Sequence, residues 1–115
     1  MSNASYPNDA DGDALRRIES DGIDTSRPIR VDFMVAAPDR SVAEDFATLA
    51  LKRGYKTDID AEGDEWTVYC SKVMLVTYDS VVQAQRELDE LARPYGAHSD
   101  GWGTFGEDVA RDNQN

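Results

Sequence analysis

Two stretches of the chain alternate between their faces with a period of two, which is the spacing of a β-strand. In residues 66–76 both faces are largely apolar and Lys72 is the sole charge, as is typical of a strand covered on both sides. Residues 29–37 place apolar side chains on one face, with Arg30 and Asp32 on the other. We expect these two strands to form the centre of a sheet.

Three segments show the apolar spacing of three and four residues that is typical of amphipathic helices. They cover residues 11–20, 41–53 and 78–92. The second segment opens on Ser41 and Glu44, which have the spacing of a capping box and predict its first turn. The predicted caps of the other two helices are Asp11 or Asp13, and Thr77 or Asp79.

Two further segments complete the predicted sheet. Residues 56–61 alternate charged with apolar or small side chains, which favours an edge strand, and a tight turn leads from them into residues 66–76 as a hairpin. Residues 97–100 predict a brief last strand. The element order then matches an α+β, ferredoxin-like βαββαβ antiparallel sheet, with two helices on one face and an extra short N-terminal helix. We expect the other face to be open or partly screened by that helix, with Trp102 and Phe105 capping it.

Length and composition predict one domain over residues 11–106, between a disordered N-terminal tail, residues 1–10, and a polar C-terminal tail, residues 107–115. The single cysteine, Cys70, excludes an internal disulfide and is typical of a reducing compartment. No run has the length and hydropathy of a membrane span, and the first ten residues lack the basic and apolar parts of a signal peptide. We therefore expect a cytoplasmic protein.

Charge narrows the choice of partner. The chain has 23 acidic residues against 12 lysines and arginines, a formal net charge of −11. A surface of this sign repels nucleic-acid backbones and anionic membranes and attracts basic proteins, with rates that fall as salt is added. The sequence thus predicts no direct nucleic-acid or membrane contact and favours a basic protein partner.

The search for catalytic chemistry finds no assembled set of residues. Cys70 has no basic neighbour except Lys72, and His98 is the sole histidine; a nucleophile needs an adjacent base. No glycine-rich phosphate loop occurs, and the acidic clusters lack calcium-loop spacing. We predict no catalytic residue, no metal and no cofactor. The candidate protein-binding residues are acidic side chains around the hairpin and two residues near the chain end: Asp58, Asp60, Glu62, Asp64, Glu65, Asp100 and Trp102.

Four short motifs occur in a fixed order along the chain. They are Asp11-Gly12-Asp13-Ala14-Leu15, then Arg27-Pro28 with Val31-Asp32-Phe33, then Trp66 and Met74, and finally Asp100-Gly101-Trp102-Gly103-Thr104. With these motifs the chain resembles the regulator of ribonuclease E activity B family, also called the ribonuclease E inhibitor family, over roughly residues 11–105. The resemblance implies a small acidic cytoplasmic protein with a ferredoxin-like fold and no catalytic activity. It also implies binding to the non-catalytic scaffold of ribonuclease E and reduced RNA cleavage, which changes transcript abundance.

Two other functions fit the residues. One is a small-molecule sensor or enzyme that uses the open sheet face, with Tyr69 or His98 near the ligand. The other is an interaction module for an unrelated basic protein. An enclosed pocket with convergent polar groups would favour the first, whereas a flat or convex acidic face would favour a protein-binding regulator.

Overall fold

The computed structural model describes residues 7–104, apart from the side chain of Glu62. The predicted C-terminal tail, Phe105 and most of the predicted N-terminal tail lie outside these residues. The elements in chain order are α1 (Ala10–Ser20), β1 (Ile29–Ala37), α2 (Arg40–Lys52), β2 (Lys56–Glu62), β3 (Glu65–Met74), α3 (Tyr78–Ala92), a 3₁₀ turn (Arg93–Tyr95) and β4 (His98–Thr104).

The four strands form one antiparallel sheet in the order β2-β3-β1-β4. β1 and β3 pair along the whole of β1, from Ile29 opposite Met74 to Ala37 opposite Trp66. The prediction that the two most apolar strands lie at the centre is therefore confirmed. An α+β fold with a four-stranded antiparallel sheet and three helices is confirmed as well.

The core lies on one face of this sheet. Val31, Phe33 and Val35 alternate along β1 with no exposed surface, and they pack with Phe46 of α2 and Leu88 of α3, which are equally buried. Full burial of such side chains contributes about 1.5–3 kcal/mol each. The apolar stripes of α2 and α3 thus cover the face of β1 that alternation predicts to be dry.

The N-terminal helix lies on this same side of the sheet. Leu15 of α1 is fully buried in the core, and α1 contacts α3. Trp102 is paired with Phe33 in the register of β4 and β1, so its side chain also points to the helical side. The expectation that α1 or Trp102 covers the other face is wrong. For Trp102 the cause is β4, which is longer than predicted and continues through the Gly101–Gly103 segment as strand.

The start of α2 differs from the prediction. Its cap is Asp39, whose Oδ1 accepts a hydrogen bond from the backbone N–H of Val42 at 2.9 Å. The predicted capping box of Ser41 with Glu44 is therefore wrong, because aspartate caps a helix as well as serine does and here comes two residues earlier. Glu44 instead accepts a hydrogen bond from Arg40 one turn away, at 2.9 Å.

The other two helices also begin with side-chain caps. Asp9 caps α1 in place of the predicted Asp11 or Asp13. Thr77 caps α3, one of the two predicted alternatives, and its backbone N–H donates to the hydroxyl of Ser80 in a reciprocal capping box. Each cap satisfies backbone donors that the first helical turn leaves without partners.

Candidate protein-binding surface

The sheet face opposite the helices is the first surface to consider, because no helix within residues 7–104 covers it. Met34, Thr67 and Tyr69 on this face are half-buried, and Val73 is 67 % exposed. We call it the open face. Its two central strands contribute Arg30, Asp32, Met34, Ala36, Thr67, Tyr69, Ser71 and Val73.

A buried carboxylate lies in the middle of the open face. Asp32 is only 6 % exposed, although charged residues are seldom this buried without partners. Its Oδ1 accepts hydrogen bonds from the Ser71 hydroxyl at 2.6 Å and from Arg30 Nε at 3.1 Å. Ser71 is the direct cross-strand neighbour of Asp32. The contact therefore joins β1 to β3, and alternation alone had shown only that Asp32 faces away from the core.

The hairpin acids form a second feature at the edge of the open face. Asp58 and Asp60 of β2 lie opposite Tyr69 and Thr67, so their side chains point to the open side, and both are exposed. Asp64 and Glu65, also exposed, lie at the turn and at the start of β3. None of the ion pairs formed within residues 7–104 involves these four acids. We call Asp58, Asp60, Asp64 and Glu65 the acidic hairpin; Glu62 lies between them in sequence, and only its backbone is described.

The two remaining candidates lie on β4, at the opposite edge of the sheet. Asp100 is exposed there, but β1 and β3 separate it from Asp58 and Asp60. Because two strands lie between Asp100 and the two aspartates of β2, the seven residues do not form one surface. Asp64 and Glu65 lie nearer to β4, since they line one cleft together with His98.

Trp102 has an internal contact. Its indole Nε1 donates to Oδ1 of Asp11 at 2.9 Å, and the same oxygen accepts from Nε2 of Gln85 at 3.0 Å. One carboxylate of α1 thus joins β4 to α3. Asp9 extends the contact by accepting from the hydroxyl of Tyr78 at 2.6 Å, which lowers the pKa of Asp9 below its usual value. Trp102 therefore holds α1 in place. The sequence pattern did not predict that Asp9 and Asp11 would join α1 to α3 and β4.

The residues considered for catalysis are not brought together. Cys70 is fully buried on the helical side, and burial, followed by the charge of Asp32, raises the pKa of its thiol to about 12. His98 is exposed at the start of β4 and points to the open side, opposite Ala36. A nucleophile in this protonated state, without a base beside it, is unreactive near neutral pH.

One cleft, of about 330 Å³, lies between the hairpin turn and β4, and its lining includes His98, Asp64 and Glu65. A wider one of about 510 Å³ lies beside α3 and is lined by Tyr55, Lys72 and residues of both charges. In the part of the chain that the structure describes, no group of three His, Cys, Asp or Glu side chains is placed to hold a metal ion.

These features define a small acidic α+β protein in which, among residues 7–104, no helix covers the open face and no ion pair involves the acidic hairpin. None of the helices within residues 7–104 is long and apolar enough to cross a membrane. The chain belongs to the family described as regulator of ribonuclease activity B, whose model matches residues 8–104. The family resemblance inferred from the short motifs is thereby confirmed. No curated protein matches the chain.

Proposed function

We propose that this protein is a non-enzymatic regulator that binds a ribonuclease E-type endoribonuclease and lowers its cleavage of RNA. Membership in the regulator of ribonuclease activity B family carries this proposal, because the family is regulatory. The match begins before α1 and ends at the last residue of β4, so it includes the whole described fold. Binding to the ribonuclease itself, rather than to its RNA, is the mode that the charge supports.

The electrostatic argument has two parts. A net charge of −11 on a chain of 115 residues repels RNA and attracts basic protein surfaces. The acidic hairpin concentrates this charge in carboxylates that form no ion pair within residues 7–104. Such carboxylates remain available to arginines and lysines of a partner, with which they form charge-assisted hydrogen bonds.

Two side chains of types that carry catalytic chemistry in other proteins, those of Cys70 and Asp32, have structural roles here. Cys70 lies in the core, and the carboxylate of Asp32 accepts hydrogen bonds from Arg30 and Ser71 of the same sheet. This supports action by contact rather than by turnover. The strand order β2-β3-β1-β4 with helical crossovers supports assignment of the fold to the ferredoxin-like class, and a single unpaired cysteine supports a cytoplasmic location.

Cleavage of a fluorescent RNA by the full-length ribonuclease, with this protein titrated in, tests the proposal. We expect cleavage to slow as the protein is added, and the inhibition to weaken between low and high salt because exposed charges are screened. Unchanged cleavage with the protein in large excess over the ribonuclease would exclude it.

Paired variants locate the surface. Asp58→Asn with Asp60→Asn removes two charges from the acidic hairpin, and Asp21→Asn with Asp45→Asn removes two exposed charges from the helical side. Both double variants have the same net charge. We expect the hairpin pair to inhibit less than the control pair; equal inhibition would place the contact elsewhere on the acidic surface.

A further inference from the structure

The outer edge of β2 has no partner within residues 7–104. β2 is seven residues long and pairs with β3 without a register shift, from Lys56 opposite Ser71 to Glu62 opposite Glu65. It has no proline and no bulge, which are two common ways in which edge strands are blocked. The other edge strand, β4, is interrupted by a register shift opposite β1. β2 is thus the regular edge of the sheet, and it is open to another strand.

One hydrogen bond shows which backbone groups of β2 point outward. The N–H of Ile59 donates to Oδ1 of Asp58 at 3.1 Å, and so it does not point to β3. Backbone groups alternate in direction along a strand. The N–H and C=O groups of Thr57, Ile59 and Ala61 therefore form the outward row, while those of Asp58 and Asp60 face β3.

Two of the charges on β2, those of Asp58 and Asp60, select the strand that this edge can accept; Lys56, exposed on the same side, lies at the start of the strand. Asp58 and Asp60 lie two residues apart, on the open side, and both are exposed. In a second copy paired antiparallel around Ile59, Asp58 would lie opposite Asp60, and like charges in that position are destabilising. A segment with lysine or arginine at every second position instead places a cation opposite each carboxylate, at a Cβ separation of about 5 Å.

β2 is also held in position before a partner arrives. Ile59 packs against the core, and α2 contacts β2 from the helical side. A preformed strand lowers the ordering cost of binding an extended segment. The new main-chain bonds would replace the contact of Asp58 with the Ile59 N–H and release that carboxylate for a cation.

We propose that the outer edge of β2 accepts an extended basic segment as a fifth strand of the sheet. Main-chain hydrogen bonds to Thr57, Ile59 and Ala61 supply the pairing, and Asp58 and Asp60 select alternating lysine or arginine side chains. The site is defined by the free backbone edge, and the two aspartates decide its occupant. The inference rests on the proposed function only in naming the ribonuclease as the source of that segment.

The probe is a ten-residue peptide of alternating arginine and threonine, acetylated and amidated at its ends. Titration of the labelled protein, followed by nuclear magnetic resonance, gives the affinity and the amide exchange rates. We expect exchange at the N–H groups of Thr57, Ile59 and Ala61 to slow when the peptide is added. We expect Asp58→Asn with Asp60→Asn to weaken binding about 2- to 30-fold, since each of the two cross-strand ion pairs contributes about 0.2–1 kcal/mol.

A backbone variant separates strand pairing from charge. Ala61→Pro removes an outward N–H and places a ring at the edge, and we expect it to weaken peptide binding at least about tenfold. Ala61→Val keeps the N–H and should bind like the parent protein. If the edge amides exchange at unchanged rates with bound peptide, the proposal is overturned, and this holds even if the proline variant does not fold. That result would leave inhibition of RNA cleavage intact as a separate question.

Discussion

The contact of Asp11 with Trp102 and Gln85 predicts a measurable stability loss in a single variant. Oδ1 of Asp11 accepts two hydrogen bonds, at 2.9 Å from Trp102 and at 3.0 Å from Gln85. These donors lie 91 and 74 positions further along the chain. Asp11→Ala removes the acceptor of both donors and leaves each side chain to find another partner. α1 would then be held by its buried apolar residues and by the contact of Asp9.

The size of the effect follows from the type of bond. Hydrogen bonds to charged groups contribute about 1.5–3 kcal/mol each. Because these donors are half-buried and water can partly replace the carboxylate, we take the low end and expect a total loss of about 2–3 kcal/mol. In a domain of this size, such a loss lowers the melting temperature by roughly 10–20 °C. Asp11→Asn keeps one acceptor oxygen and should lose less.

Urea and thermal unfolding followed by circular dichroism measure the loss. Asp13→Ala is the matched control, because Asp13 lies in the same helical turn and forms an exposed ion pair with Arg16, which contributes about 0–1 kcal/mol. A double-mutant cycle of Asp11→Ala with Trp102→Phe should show a coupling of about 1 kcal/mol or more. If Asp11→Ala and Asp13→Ala unfold at the same urea concentration, the proposed role of Asp11 is refuted.

Three further results are expected from single sites. The buried thiol of Cys70, whose pKa is raised to about 12, should react with a thiol reagent at pH 8 only when denaturant unfolds the chain; fast labelling of the native protein would contradict its burial. The backbone N–H of Ser99, 2.9 Å from Asp89, followed by the Arg93 side chain, lowers the pKa of Asp89 below 3.8. A carboxyl group whose pKa is lower in the folded than in the unfolded state stabilises the fold at pH values above its unfolded-state pKa. This stabilisation is lost as the pH falls through the folded-state pKa. Asp89→Asn should therefore flatten the acid unfolding curve below about pH 4, and an unchanged curve would count against this contact. Gly12→Ala would make a Cβ overlap with the Pro7 carbonyl oxygen, so we expect the free energy of unfolding in urea to fall by about 1–3 kcal/mol in spite of alanine's higher helix propensity. A stabilised variant would show that the segment before α1 moves freely.

Local patterns in the sequence predicted most of the fold. Period-two alternation predicted β1 with both of its bounds, and apolar spacing predicted all three helices. The most apolar strands proved to be the central ones because a strand covered by two neighbours loses the most water-exposed surface. The order of the short motifs also indicated the family, which the match over residues 8–104 confirmed.

The candidate site was predictable only in part. The hairpin brings Asp58 and Asp60 near Asp64 and Glu65 because these residues are close in sequence. Asp100 was a candidate as part of the closing Asp100-Gly101-Trp102-Gly103 stretch, and the strand order places it at the sheet edge opposite Asp58 and Asp60. The composition gives the number of charges but not their positions in the fold. It therefore could not show that Asp100 lies apart from Asp58 and Asp60.

The sequence by itself determined the order and approximate bounds of the helices and of β1 to β3, which face of β1 is buried, and that the chain is acidic. The tertiary structure alone decided that α1 and Trp102 lie on the helical side, that Asp32 accepts a hydrogen bond from Ser71, and that the outer edge of β2 has no partner strand within residues 7–104. The physical reason is the range of the interactions involved. The periodicity of a segment a few residues long indicates which of its side chains are buried. Which residues bury them depends on strand register and on hydrogen bonds between residues that are distant in sequence.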